Sequence, residues 1–431
     1  MKAAINRSFA FLLALSSACS GFAADAGLVA EGAKPLKLAG GFKFTEGPAA
    51  GPDGNVYFTD IPNNRIHKWD VKAGKLSTFL EKSGGANGLY FSKEGDLFAC
   101  QGEVRKVTSF YLEDGAEKEL VADQFDGRPF NKPNDLWLHP NGGIFFTDPN
   151  YGRKELSQEG EHLYYVTPYR DQVFRVDDKL KRPNGIIGSP DGKTLFVADP
   201  GAGKTYTYKV EDGEEGALSG KKLFVESGSD GMALDNKGNL YLTSDTVQVY
   251  NPAGKKIADL KFPERPSNVC FGGKSGKTLY VTARTGFYSL DMQVAGAGFV
   301  DLASPVEGDS FKITISCVKE KLLYDIKEFT VRTGQKVTVN FKNDDFPPHN
   351  LLFVKPGTAD EVATLAIALG GEGFAKQFRP DTNKILYGST MLDHGQSTTI
   401  NFTAPEPGEY PYVCTFPGHA QLMRGVMKVV K

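Results

Sequence analysis

One short unit recurs six times between residues 36 and 293. Each copy opens on a polar residue, usually followed by glycine. It then passes through a turn such as Pro-Asp-Gly and ends in an apolar strand. Glu46-Gly-Pro begins the first copy, which ends at Phe58-Thr-Asp60; later copies open on Asn87, Asn134, Asn184, Asp230 and Asn268. Successive starts lie 41, 47, 50, 46 and 38 residues apart. That is the length of one four-stranded blade, and six copies predict a six-bladed β-propeller. A single blade cannot bury both its faces, so stacking around an axis must supply the core. The ring has to close, and residues 36–44 are expected to add the outer strand to the blade that ends at Phe287-Tyr-Ser-Leu290. The 49 glycines, 24 prolines and 47 Phe plus Tyr residues agree with short aromatic strands and frequent turns, hence an all-β chain.

Equivalent repeat positions occupy equivalent places around the axis. Glu46, Asn87, Asn134, Asn184, Asp230 and Asn268 should therefore ring one mouth of the central channel. Hard oxygen donors of this kind suit Ca²⁺ or another hard divalent cation. For Asn87 and Asn268 the turn-forming habit of Asn-Gly and related pairs is reason enough. Glu46 has no such reason, and a buried glutamate without a cation or partner is costly. The 50 basic and 52 acidic residues nearly balance, which leaves no basic field for nucleic acid.

A second pattern begins near residue 309. Phe311-Lys-Ile-Thr-Ile315 and Val337, Val339 and Phe341 alternate apolar and polar residues, and Thr398–Phe402, Tyr410–Cys414 and Gly425–Val430 continue the strands. Residues 358–369 read as a short inserted helix. About 120 residues of short strands predict a Greek-key β-sandwich. Its end carries Cys414-Thr-Phe-Pro-Gly-His419-Ala-Gln-Leu-Met423, a thiolate, an imidazole and a thioether within ten residues. Cys and two His with a long axial Met are the ligands of a mononuclear electron-transfer copper site, and His349 supplies the second imidazole. Zinc could use two His and one Cys, but the Met and the loop spacing favour copper. A two-copper site would need a cysteine at Gly418, and a multicopper oxidase would need His-x-His pairs that the six histidines do not form. Met427 falls in the last strand, where alternation predicts packing. His394 reads as a solvated turn residue, and His67, His139 and His162 as surface or packing residues.

The repeats resemble the regucalcin–gluconolactonase family of calcium-dependent propellers. The resemblance rests on Thr45-Glu46-Gly-Pro, Pro133-Asn134-Asp, Phe146-Thr-Asp-Pro-Asn-Tyr-Gly152, Pro183-Asn184-Gly and Ser229-Asp230-Gly. It implies Glu46, Asn184 and Asp230 as ligands of calcium or another divalent cation, Asn134 as a substrate contact and Asp230 as the proton-transfer residue. Lys132 stands two before Asn134, where some members carry a substrate-contacting arginine, and takes that contact despite the difference. The terminal stretch, with His349-Asn350 upstream, resembles azurin and auracyanin, the blue-copper cupredoxins. It implies a type 1 copper held by His349, Cys414, His419 and Met423.

Lys2 and Arg7 precede an apolar run, Phe9 to Leu15, with Gly21-Phe-Ala23 as a cleavage site. Residues 1–23 thus read as a secretory signal peptide, too short to span a bilayer. Ser16, three before Cys19, argues for soluble export over lipid anchoring. The domain reading is then a propeller over 24–293, a linker of hinge composition over 294–308 and a cupredoxin over 309–431. The expected protein is periplasmic or secreted, without a membrane span. Cys100, Cys270 and Cys317 are expected as free thiols, with a Cys100–Cys270 bridge as the alternative. No Gly-x-Ser-x-Gly elbow is present, which argues against a serine esterase. Two functions remain open: a cation-dependent hydrolase of a lactone or related ester joined to a copper electron carrier with a redox partner protein, or an electron carrier whose propeller is a docking module with a structural cation.

Overall fold

The computed structural model describes residues 27–92, 95–152, 154–213, 215–299 and 308–431. The signal-peptide segment, Cys19 and most of the linker lie outside the described residues. Six four-stranded antiparallel sheets make the first domain. Blade 1 runs through Thr45–Ala50, Val56–Asp60, Arg65–Asp70 and Lys75–Glu81, and the next four blades repeat that order of strands from axis to rim. Blade 6 contributes Pro266–Gly272, Thr278–Ala283 and Gly286–Asp291, and its fourth strand is Leu36–Gly40 from the start of the domain. The expected ring closure is therefore present. Lys37 secures it through an ion pair to Glu264 at 2.9 Å.

Burial follows position along each blade. The second strands Val56–Asp60, Leu97–Gln101 and Ile144–Asp148 are buried at every residue, because a blade packs on each face. Their near-continuous apolar sequences suit that two-sided burial. The rim strand Lys75–Glu81 mixes exposed and half-buried residues and buries none. Neighbouring blades interlock: Phe58 of blade 1 stacks on Phe287 of blade 6 with centroids 4.3 Å apart. Each fully buried side chain of this size contributes ~1.5–3 kcal/mol.

Polar stitches join the blades next to the ring positions. Thr59 Oγ1 donates to Asn87 O, Thr147 Oγ1 to Asn184 O and Thr243 Oγ1 to Ser267 O, at 3.0, 2.8 and 2.7 Å. Ser267 Oγ donates to Thr45 O at 2.6 Å and closes the circle. The glycine after a ring residue serves this close approach. A Cβ on Gly88 would lie 2.7 Å from Asp135 Cα of the next blade. Gly47 in addition holds φ +49°, and a Cβ there would overlap Asn87 O. Turn formation is thus not what Asn87-Gly88 does: both residues lie within the strand Ala86–Phe91.

The hinge expected over residues 294–298 is not a hinge. Val294 and Ala295 are buried, Gly296 bridges to Asp235, and Ala297 N donates to Leu234 O at 2.8 Å. Small residues here allow tight packing on blade 5 instead of mobility.

The second domain has two mixed sheets, as a cupredoxin sandwich does. One orders Leu323–Tyr324, Ser310–Val318, Lys336–Lys342 and Ser397–Thr403; the other orders Glu328–Arg332, Arg424–Val430, Gly408–Val413, Leu352–Val354 and Ile385–Gly388. The alternating residues Phe311, Ile315, Val337, Val339 and Phe341 meet Tyr412, Met427 and Val429 in one core. The inserted helix, Ala359–Ile367, sits between two strands of the second sheet. The four described cysteines are free thiols, with no Cys100–Cys270 bridge.

Candidate functional site

At one end of the propeller axis the buried carboxylates of Glu46 and Asp135 meet that of Asp230, which is half-buried. Glu46 is the second residue of the inner strand of blade 1, Thr45–Ala50, and is 3 % exposed. Its Oε2 accepts from Gly47 N at 2.6 Å and from Asn268 Nδ2 at 2.8 Å. Burial, with the charges on Asp230 and Asp135, pushes its carboxyl well above the ordinary value. Burial also raises Asp230, against a hydrogen bond from Asn184 Nδ2 at 2.6 Å and the through-space pull of Arg265 and Arg284. Asp135 is pushed up to about 7 by burial, against amide hydrogen bonds from Leu136 and Ile186. Such a site favours either protonation or a bound cation.

The clamps that hold this end recur from blade to blade. Asp60 accepts from Lys43 N and Phe44 N, Asp148 from Asn131 N and Lys132 N, and Asp199 from Lys181 N and Arg182 N. Each carboxylate fixes the loop that delivers the next ring residue: Glu46, Asn134 and Asn184. Asn134 is buried, with its backbone bonded to Thr147 O and Gly88 N. Lys132 Nζ reaches Tyr151 O at 3.1 Å and Glu103 at 3.4 Å. Tyr151 OH accepts from Asn184 Nδ2 at 3.1 Å. Below the ring, the central channel forms a cavity of about 890 Å³, bounded by Gly47, Asp135 and Asn268 at this end and by the hairpin turns at Pro52 and Pro140 at the other.

Two residues at this site carry more than the sequence reading gave them. Asn268, read as a turn former, bonds Glu46 across 222 residues of chain. Asp135, the third residue of Pro133-Asn134-Asp, had no role, yet faces the same channel. Asn134 and Asp135 lie just before the strand Leu136–Leu138, so no strand period tells from the pair alone which of them faces the channel.

At the end of the sandwich, His349, Cys414 and His419 converge and are buried, and their donor atoms are close enough to hold one metal ion. Cys414 Sγ lies 3.7 Å from His349 Nδ1 and 3.8 Å from His419 Nδ1, and the two nitrogens are 3.1 Å apart. A three-coordinate metal with bonds of ~2.0–2.3 Å separates its donors by roughly 3.5–3.7 Å, so the triangle fits one ion with small adjustment. Met423 is fully buried, and its carbonyl accepts from Cys414 N at 3.0 Å. The loop is pinned by Asn350, whose Oδ1 accepts from Thr415 N at 2.9 Å.

Burial depresses His349, against its contact with Asp345. Burial and His349 together push His419 down to about 4. Both imidazoles are therefore neutral at pH 7, as ligation needs. Burial pushes the Cys414 thiol up to about 11, so a cation must displace its proton. Met427 packs in the core as expected. His67 and His162 are buried packing residues, and His139 Nε2 contacts Gly192 O. His394 is exposed at a turn, its Nδ1 3.1 Å from Asp345 O.

Comparison with known proteins agrees with this division. Residues 44–285 match the SMP-30/gluconolactonase/LRE-like region, and residues 311–430 match copper binding proteins of the plastocyanin/azurin family. The gluconolactonase of Zymomonas mobilis is 28 % identical over 281 residues, 57 % of this chain and 78 % of its own. Auracyanin-A of Chloroflexus aurantiacus is 40 % identical over 119 residues, 27 % of this chain and 73 % of its own. The solved structure of a gluconolactonase from Xanthomonas campestris is 26 % identical with a TM-score of 0.58, and the match covers 62 % of this chain and 92 % of that one. The chain belongs to the SMP-30/gluconolactonase/LRE-like family through its propeller and carries a plastocyanin/azurin-family domain behind it.

Proposed function

We propose that this is an exported hydrolase of a sugar lactone or related ester that carries its own copper electron-transfer domain. The observation that bears most weight is the cluster of two buried carboxylates, Glu46 and Asp135, with the half-buried Asp230, whose charges oppose one another at the mouth of the axis. Likeness to gluconolactonases supports the reaction class. Glu46, Asn184 and Asp230 would hold calcium or another divalent cation. Such an ion, when bound, polarises a carbonyl or lowers the pKa of water. Asp230 takes the proton from the attacking water at a carboxylate oxygen, oriented by the 2.6 Å bond from Asn184. Asn134 and Lys132 hold the substrate beside it, and Tyr151 steadies Asn184.

In the second domain His349, Cys414, His419 and Met423 would hold copper, which when bound cycles between two oxidation states and exchanges single electrons with a partner protein. The fixed donor triangle needs little rearrangement in that exchange. Among the described residues no helix is long and apolar enough to cross a membrane. Full-length protein with Ca²⁺ should release acid from aldonolactones above the spontaneous rate, and Asp230→Asn should not. If neither protein does so while a known lactonase works in the same buffer, the propeller is a docking module and the hydrolase reading is wrong.

A further inference from the structure

Two imidazoles meet Cys414, and they are not equivalent. His419 closes a short loop next to Pro417 and Gly418, which are exposed. His349 has no exposure, and its far ring nitrogen, Nε2, lies 3.2 Å from Oδ2 of Asp345, whose side chain is 2 % exposed. The other oxygen of that carboxylate accepts two backbone amides, Glu320 N and Phe346 N, each at 2.9 Å. The loop between them is fixed in turn. Asp345 N donates to Asn343 Oδ1 at 3.0 Å, and Asn343 Nδ2 donates to Pro347 O and Leu392 O at 2.8 and 2.9 Å. His349 exchanges both backbone hydrogen bonds with Leu392. Carboxylate and ring are thus held independently, and they face each other.

We propose that Asp345 is the positioning residue of the copper site: it keeps the proton of His349 on Nε2, turns Nδ1 toward Cys414, and places a buried negative charge behind that ligand. The inference rests on the copper reading above. A carboxylate partner fixes the tautomer of a ligating imidazole and strengthens it as a donor. A nearby negative charge favours the more highly charged metal ion. Asp345 therefore holds Cu(II) more tightly than Cu(I), and lowers the reduction potential relative to a neutral partner. Among the described residues no carboxylate hydrogen-bonds His419, so the two imidazoles divide the work: one is backed by charge and rigid, the other stands at the edge.

The test uses full-length protein and Asp345→Asn, which leaves an oxygen for the two backbone amides but removes the charge. Nitrogen-15 NMR of metal-free wild type should find His349 protonated on Nε2; protonation on Nδ1 overturns the proposal without any variant. Chelator competition should find Cu(II) bound 10–100-fold more weakly by Asp345→Asn. Cu(I) should lose about tenfold less, which raises the one-electron potential by about 59 mV. Equal losses for both ions, or an unchanged potential, reduce Asp345 to a loop anchor and sink the idea. If Asp345→Asn does not fold, Asp345→Glu decides: retained Nε2 protonation and a potential near wild type support the role of charge, and a raised potential contradicts it. Wild type that takes up no copper would refute the copper reading itself, while the metal-free tautomer would still report on Asp345.

Discussion

Replacing Glu46 by Gln gives two signed outcomes from one variant. Gln retains an oxygen for Gly47 N and Asn268 Nδ2, the two donors that Glu46 now serves. It removes a charge that burial and the carboxylates of Asp230 and Asp135 all oppose. Without a divalent cation the variant should therefore melt no lower than the wild type. With a cation the order reverses. At a concentration 100 times its dissociation constant, a bound ion stabilises the folded state by about 2.7 kcal/mol. For a domain of this size, at ~2.1 cal/mol/K of unfolding entropy per residue, that corresponds to roughly 5 °C in melting temperature. Wild type should show this shift on Ca²⁺ addition in calorimetry, and Glu46→Gln should lose most of it. An equal Ca²⁺ shift in both proteins, or a variant that melts ~5 °C lower in chelator, would refute the view that Glu46 waits for a cation.

The remaining expectations address the other parts of the chain. Cys414→Ser should abolish the intense visible absorption of the copper-loaded protein while leaving lactone hydrolysis intact; unchanged colour would remove the thiolate from the site. Gly47→Ala combines a left-handed backbone with an overlap on Asn87 O, and together these should cost about 2–5 kcal/mol; a stability change under ~1 kcal/mol in denaturant titration would show that blades 1 and 2 have slack at the ring. Ring closure should be acid-sensitive at Glu264. Burial pushes this carboxyl up, but hydrogen bonds from Tyr288, Lys37 and Thr285 outweigh it and hold it at about 2. Its folded value lies below its unfolded one, so the stabilisation is complete above pH ~5 and is lost as pH falls toward 2. Solvent screening limits it to about 0.2–1 kcal/mol. Glu264→Gln should flatten that acid limb, and parallel acid limbs in the two proteins would count against the reasoning.

Much of this architecture could be read in the chain because its information is local. Each blade repeats one pattern of turn and apolar strand, so six copies announce themselves without any tertiary knowledge. Cys414, His419 and Met423 share one loop, and chemistry at that spacing is distinctive. What stayed hidden depends on contacts between distant segments. Asn268 meets Glu46 only because the ring closes. Asp345 lies four residues before His349, but the loop from Asn343 to His349 has no regular period to say which way the carboxylate turns. Val294–Gly298 looked like a hinge by composition, yet its backbone pairs with Leu234 and Asp235 of blade 5, and Gly296 leaves room for Phe271, whose Cβ would lie 2.5 Å from a Cβ there. The Asn-Gly pairs misled for a related reason: Gly88 is required by the approach of Asp135 from the next blade, which no local rule encodes.

The central claim is that the Glu46 end of the propeller holds a divalent cation and breaks an ester bond there. The most direct measurement is the rate of acid release from an aldonolactone by full-length protein in a pH-stat, with Ca²⁺ and then with excess chelator. The account predicts a rate well above background with Ca²⁺, its loss on chelation and its absence in Asp230→Asn. A rate indifferent to chelator and to Asp230 would contradict it.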